Sequence, residues 1–285
     1  MKSLFKSPQG KQEILSLYDQ KLDELNIDSD YLQVETSFGR TNIIATGDPS
    51  NPPIILVHGS NGCAPIALET YPNLSKSYRV FAVDVIAQPN KSAETRPSMK
   101  DDSYGKWMNE VIDQLNITDV RLAGFSFGGL VILKTLEYDE SKIKEVFLSA
   151  PAYIVNGNPL KALFKFFIPM RRYMSTGKIK FVESFLKEVF SDKDEFAVKY
   201  LSKVFEHFTM DFTPVPLIPE QKAKLIKTPI NLIAAKQDVL FPGEKMIKRA
   251  RQIFPSLKES VLLKNSKHVQ SAQDNRFIEN LILEA

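Results

Sequence analysis

The chain has 285 residues, 43% of them apolar, which suits one large α/β domain with a sizeable core and excludes a disordered chain. A formal net charge of +3, with no basic run interleaved with aromatics, gives no reason to expect a nucleic-acid partner. The single cysteine, Cys63, excludes an internal disulfide framework and a cysteine-based metal cluster, and three histidines far apart leave little for any metal site.

Met1–Gly10 carries lysines with no apolar segment behind them, and no later run is long and apolar enough to span a bilayer, so a cytoplasmic protein is expected. Ser7-Pro8-Gln9-Gly10 starts a helix, which Ile14, Leu15, Tyr18, Leu22 and Leu25 continue as one apolar stripe; its expected place is the outside of the domain. Tyr31–Ser37 and Thr41–Ala45 read as a hairpin around Phe38-Gly39-Arg40, and Asn51-Pro52-Pro53 breaks the chain. Ile54–Val57, wholly apolar, fits a buried parallel strand and ends in His58-Gly59-Ser60-Asn61-Gly62. Arg79–Val83 ends at Asp84, and Ser103–Leu115 is a helix with Trp107, Val111, Ile112 and Leu115 on one side. Val120–Ala123 runs through a sharp turn into a helix over Phe127–Glu137. Val146–Ser149 ends in Ala150-Pro151, Ile230–Ala234 ends near Asp238, Val261–Leu263 ends in a loop carrying His268, and a last helix covers Asp274–Leu283.

Strands alternating with helices predict a doubly wound, mostly parallel sheet with flanking helices. Ligands bind beyond the carboxyl ends of the strands in such sheets, and His58, Asp84, Ser126, Asp238 and His268 all follow strand ends. Between Tyr153 and Pro219 the alternation stops. Ten of the nineteen phenylalanines fall there, so the stretch reads as an inserted helical lid over residues 152–219, with a core formed by residues 1–151 and 220–285. From Val146 through Val182 there is no Asp or Glu, while Lys161, Lys165, Arg171, Arg172, Lys178 and Lys180 lie among Phe164, Phe166, Phe167 and Ile168. This is an amphipathic lid helix with a solvated basic face or, alternatively, a basic apolar entrance that attracts anionic amphiphiles or a membrane surface.

Gly124-Phe125-Ser126-Phe127-Gly128 fits the G-x-S-x-G nucleophile elbow. Serine there needs a base to become a nucleophile. His268 follows both Ser126 and a candidate acid, Asp238, in the order Ser–Asp–His that the elbow expects, so His268 is read as the base and Asp238 as the group that orients it. Asp84 and Asp211 are the other candidate acids. His58 reads as structural, His207 falls in the lid, and Cys63 has no histidine placed to activate it. The backbone N–H groups of Ser60 and Phe127 are the candidate oxyanion donors.

Taken together, the early Ser7-Pro8-Gln9-Gly10-Lys11, His58-Gly59-Ser60, Asp84 with Gln88-Pro89-Asn90-Lys91-Ser92, Thr95-Arg96-Pro97, Trp107, the elbow, Gln237-Asp238-Val239-Leu240 and His268 resemble the α/β-hydrolase fold superfamily, and within it a bacterial carboxylesterase-like subgroup with a helical cap. The chain departs from that pattern at Asn90, where glycine is frequent, and in Asn265-Ser266-Lys267 before the histidine. The resemblance implies a serine hydrolase acting on small-molecule carboxylic esters through an acyl-enzyme; the triad chemistry needs no cofactor, and the phenylalanine-rich lid suggests an apolar pocket for the acyl or alcohol part. A carbon–carbon bond hydrolase, an amidase or aminopeptidase, a lipase and a non-hydrolytic ligand receptor stay open. Serine at the elbow speaks against relatives that use a carboxylate nucleophile.

Overall fold

The computed structural model describes residues 3–285; Met1 and Lys2, the start of the stretch read above for a leader, lie outside the described residues. Helix α1 (Pro8–Leu25) begins where the sequence predicts, because the Ser7 hydroxyl accepts from the Gly10 N–H at 3.0 Å and Pro8 needs no partner in the first turn. It packs on the outside of the domain by its apolar stripe: Ile14, Leu17, Tyr18 and Leu22 are buried in a layer shared with later helices, while Gln12, Asp19 and Asp23 on the other side are exposed.

β1 (Ser29–Thr36) and β2 (Gly39–Thr46) form the hairpin, but the turn is Ser37-Phe38, one step earlier than the sequence suggests. Gly39, at φ +106°, takes the conformation that closes so short a loop and already pairs with Thr36. After β3 (Pro53–Val57) come α2 (Ala64–Thr70), β4 (Arg79–Val83), α3 (Ser103–Leu115), β5 (Val120–Phe125), α4 (Phe127–Tyr138) and β6 (Ile143–Ser149). The chain then leaves the sheet. α5 (Pro159–Ala162) continues through a π-helical turn (Leu163–Phe167) into α6 (Ile168–Thr176), followed by α7 (Lys180–Val189), α8 (Glu195–His207) and the short α9 (Glu220–Ala223). β7 (Ile230–Ala235), α10 (Gly243–Ile253), β8 (Leu257–Leu263) and α11 (Ala272–Leu283) complete the fold.

Among the described residues the strands make one eight-stranded sheet in the order β1-β2-β4-β3-β5-β6-β7-β8, parallel from β4 to β8 and antiparallel at the β1 and β2 edge. Alternate side chains on each strand serve opposite layers. Ile55 and Val57 of β3 face the layer that holds Trp107 and Val111 of α3 and Leu130 of α4. Ile54 and Leu56 face the layer that holds α1, α2 and α11 together with Val182, Leu186 and Tyr200 of the helices between β6 and β7. In those helices Phe166, Phe185 and Phe205 pack edge to face at 5.7–5.8 Å, so these rings form the segment's own core.

Candidate active site

The β5–α4 turn bends the backbone sharply at Ser126. Ser126 sits at φ 54°, ψ −112°, a conformation that costs a non-glycine residue on the order of 1–3 kcal/mol and is kept only where the surroundings impose it. Its N–H donates to Ser149 of β6 at 3.0 Å, and its carbonyl accepts from Ala152 at 2.9 Å. The flanking glycines make room. A Cβ at Gly128 would lie 2.1 Å from the Val57 carbonyl oxygen, and one at Gly124 would lie 2.6 Å from Ile132 Cδ1.

Ser126 Oγ lies 2.9 Å from His268 Nε2, and His268 Nδ1 lies 2.7 Å from Asp238 Oδ2. A carboxylate only accepts, so Nδ1 carries the proton and donates, and Nε2 is left to accept from the serine hydroxyl. Asp238 is fixed through its other oxygen, which accepts from the N–H groups of Leu240 (2.7 Å) and Phe241 (2.9 Å). Phe125 and Phe241 wall the imidazole, with ring centroids 5.0 and 5.4 Å away. All three site side chains are buried.

The loop holding His268 needs no glycine because it is braced from several directions. Ser266 Oγ donates to Asp274 at 2.6 Å, its carbonyl accepts from Gln237, and Lys267 N–H donates to Ser191 Oγ at 2.9 Å. Phe190 and Val269 form an isolated parallel bridge. Ser191 and Phe190, just past α7, escaped the sequence reading: they are more than seventy residues from His268 and carry no motif.

Phe127 opens α4, so its N–H has no acceptor within the helix. Ser60 lies in the turn after β3. The Gly59 carbonyl is taken by the His58 ring (Nδ1 at 2.8 Å) and by the Gly62 N–H (3.1 Å), which turns the Ser60 N–H to the opposite side of the same planar peptide. Gly59 itself adjoins the serine, since a Cβ built there would lie 3.4 Å from Ser126 Cβ. The next N–H, of Asn61 at φ 58°, donates to Gln88 Oε1 at 2.7 Å. Gln88 entered the sequence reading only through the resemblance; a glutamine in a loop carries no local signal of its partner.

The rival residues lie elsewhere. His58 uses both nitrogens: Nδ1 donates to the Gly59 carbonyl and Nε2 accepts from the Val85 N–H at 3.0 Å. Burial lowers its pKa from 6.5 to about 4, which keeps the ring neutral. Asp84 accepts from Ala64 N–H (2.8 Å) and Asn42 Nδ2 (2.9 Å), and burial outweighs these bonds to raise its pKa from 3.8 to about 6. Asp211 faces Arg96 at 3.9 Å. His207 lies near Glu13 and Glu206 and against Gly10 of α1. Cys63 precedes α2, and burial pushes its thiol pKa well up, the reverse of an activated nucleophile.

A strained serine between a parallel strand and a helix, followed in chain order by an aspartate and a histidine on neighbouring strand ends, defines the architecture. The chain has the α/β-hydrolase fold. A family model described as alpha/beta hydrolase fold matches residues 52–185. Over 281 residues the chain is 26% identical to carboxylesterase YbfK of Bacillus subtilis (strain 168), covering 93% of this chain and 90% of that protein. The crystal structure of carboxylesterase CesB (YbfK) from Bacillus subtilis superposes with a TM-score of 0.84 at 22% identity, covering 97% of this chain and 98% of that one. The naproxen esterase (carboxylesterase NP) of Bacillus subtilis gives 0.84 at 21% identity, over 98% of each chain. The α/β-hydrolase fold thus extends to the helices between β6 and β7. Among the described residues no helix is long and apolar enough to cross a membrane.

Proposed function

We propose that this chain is a serine hydrolase that cleaves carboxylic esters of small molecules through an acyl-enzyme. The observation that carries the reading is the line of hydrogen bonds from Ser126 through His268 to Asp238. Similarity to proteins named as carboxylesterases, across nearly the whole chain, supports the ester as the bond cleaved.

In this reading Ser126 Oγ attacks the ester carbonyl carbon while His268 Nε2 takes its proton. Asp238 holds Nδ1–H and stabilises the imidazolium. The oxyanion of the tetrahedral intermediate accepts from the N–H groups of Ser60 and Phe127, at the positive end of α4. Collapse breaks the bond to the alcohol oxygen, which leaves with the proton from His268. Water, deprotonated by the same nitrogen, then attacks the acyl-serine and returns Ser126. Residues 152–219 act as a cap over this chemistry, and Phe125 and Phe241 favour an apolar acyl or alcohol group beside His268. An ester suits the site better than an amide because an alkoxide leaves more readily than an amine.

Hydrolysis of p-nitrophenyl esters from acetate to long acyl chains, with Ser126→Ala as the blank, tests the proposal. Turnover that disappears in the variant is the expected result. Equal turnover by the variant, or none by the wild type on any chain length, overturns it.

A further inference from the structure

The continuous helical stretch from α5 through α6 carries two apolar faces. Phe166, Met170 and Tyr173, spaced i, i+4, i+7, are buried. Leu160, Leu163, Phe164 and Phe167, spaced i, i+3, i+4, i+7, are exposed by 65%, 44%, 66% and 39%. The exposed ring of Phe212 extends this second face, 5.7 Å from Phe167. Single exposed apolar residues are ordinary, but a helical stripe of four with a further ring beside it marks an interaction surface.

The charge around the stripe selects the occupant. The window from Val146 through Val182 has no acid, and exposed Lys161 and Arg171 lie on the same helical stretch as the stripe. Glu188 pairs with Lys165 of the same stretch and Asp211 faces Arg96, so neither carboxylate is engaged with Lys161 or Arg171. A second copy docking about a two-fold axis would set this basic rim against itself. An anionic bilayer answers both features, since its acyl boundary takes apolar side chains and its phosphates take cations.

We propose that this face seats the protein on anionic lipid membranes, with Leu160, Leu163, Phe164 and Phe167 entering the headgroup–acyl boundary and Lys161 and Arg171 at the phosphates. The seated helix would adjoin the chemistry, because Gly157 N–H, three residues before the stripe, donates at 2.7 Å to the Leu240 carbonyl in the turn after Asp238.

Co-sedimentation of the full chain with vesicles tests the proposal without reference to ester turnover. Vesicles of phosphatidylcholine with an equal part of phosphatidylglycerol should bind it at low salt and release it as salt rises, and phosphatidylcholine alone should bind it weakly. Leu160→Ser combined with Phe164→Ser should weaken binding about 100-fold, about tenfold for each side chain withheld from the acyl boundary. Circular dichroism and melting temperature should stay unchanged. Should that variant misfold, Lys161→Glu with Arg171→Glu keeps the apolar positions and should abolish binding to the anionic vesicles. Absence of binding to the mixed vesicles, or full binding by a folded variant, overturns the proposal. So does concentration-dependent dimerisation that the apolar variant loses, which would make a second copy the occupant.

Discussion

Two histidine–aspartate sets lie at the same edge of the sheet. His58 and Asp84 follow β3 and β4; Asp238 and His268 follow β7 and β8. All four residues are no more than 5% exposed, so burial does not separate the sets. What separates them is the use of the last hydrogen-bonding atom. In the first set the two residues do not bond to each other. His58 is satisfied by Gly59 and Val85, and Asp84 by Ala64 and Asn42. In the second set Asp238 occupies one nitrogen of His268, and the other faces a serine hydroxyl. A buried imidazole becomes a proton carrier when a nitrogen is left facing a group that can ionise, and a structural strut when backbone takes both. His58 still contributes, because it pins the Gly59–Ser60 peptide.

The comparison breaks most directly at the second set. Ser126→Ala should lower kcat for p-nitrophenyl esters about 10⁶-fold, and His268→Ala should do about the same, since the two act as a unit. Asp238→Asn should cost about 10⁴-fold, through loss of the tautomer that leaves Nε2 free to accept. Asp84→Asn, by contrast, should retain turnover within about tenfold, the range of a packing effect passed to the site. Equal losses in the two aspartate variants, measured as kcat side by side, would erase the distinction between the sets.

Much of this was legible in the sequence because it is local. Strand–helix alternation, the elbow and the order Ser126, Asp238, His268 lie along the chain, and hydrophobic period and turn residues report them. Four things were not legible. The hairpin turn fell one step earlier because Gly39, read as a loop residue, serves the first strand pair at positive φ. The stripe of α1 gave no hint that its partners include α8, nearly two hundred residues away. Likewise Ser191 and Gln88 act through long-range hydrogen bonds, Ser191 with Lys267 and Val269 and Gln88 with Asn61, which no pattern announces. A phenylalanine-rich segment suggests an apolar pocket, yet Phe166, Phe185 and Phe205 pack on one another as the segment's own core, and composition cannot tell those uses apart.

The first set can be sharpened through the pH dependence of stability. The pKa of His58 falls from 6.5 to about 4 on folding, so the unfolded chain binds a proton in that window that the folded chain refuses. Its contribution is full above 6.5 and declines as pH falls. The pKa of Asp84 rises from 3.8 to about 6, so between those values the folded chain holds the extra proton, and stability increases as pH falls. The two slopes oppose each other, each by up to about 1.4 kcal/mol per pH unit. In urea titrations at neutral and acidic pH, the deficit of His58→Gln relative to wild type should therefore shrink on acidification. The stability of Asp84→Asn relative to wild type should move the opposite way, losing ground as pH falls. Parallel trends in the two variants would mean that the charges are not held as the structure implies.

A small effect is also expected beside the first set, at the turn after β3. Gln88 Oε1 accepts from the N–H of Asn61, a residue held at positive φ, and so fixes the peptide that follows Ser60. Together with the His58 bond to Gly59, this leaves the Ser60 N–H in one orientation. Gln88→Ala frees one side of that turn without touching Ser126, His268 or Asp238. Donors that must be aligned before the reaction stabilise the oxyanion, whereas the ground-state ester makes weaker use of them. The loss should therefore fall on kcat, by about tenfold, with KM little changed; complete loss of one donor would cost about 100-fold or more. Binding of a trifluoromethyl ketone, whose adduct carries the oxyanion, should weaken by about the same factor as kcat. A change confined to KM would assign Gln88 to substrate contact and leave the orientation of Ser60 to His58 alone.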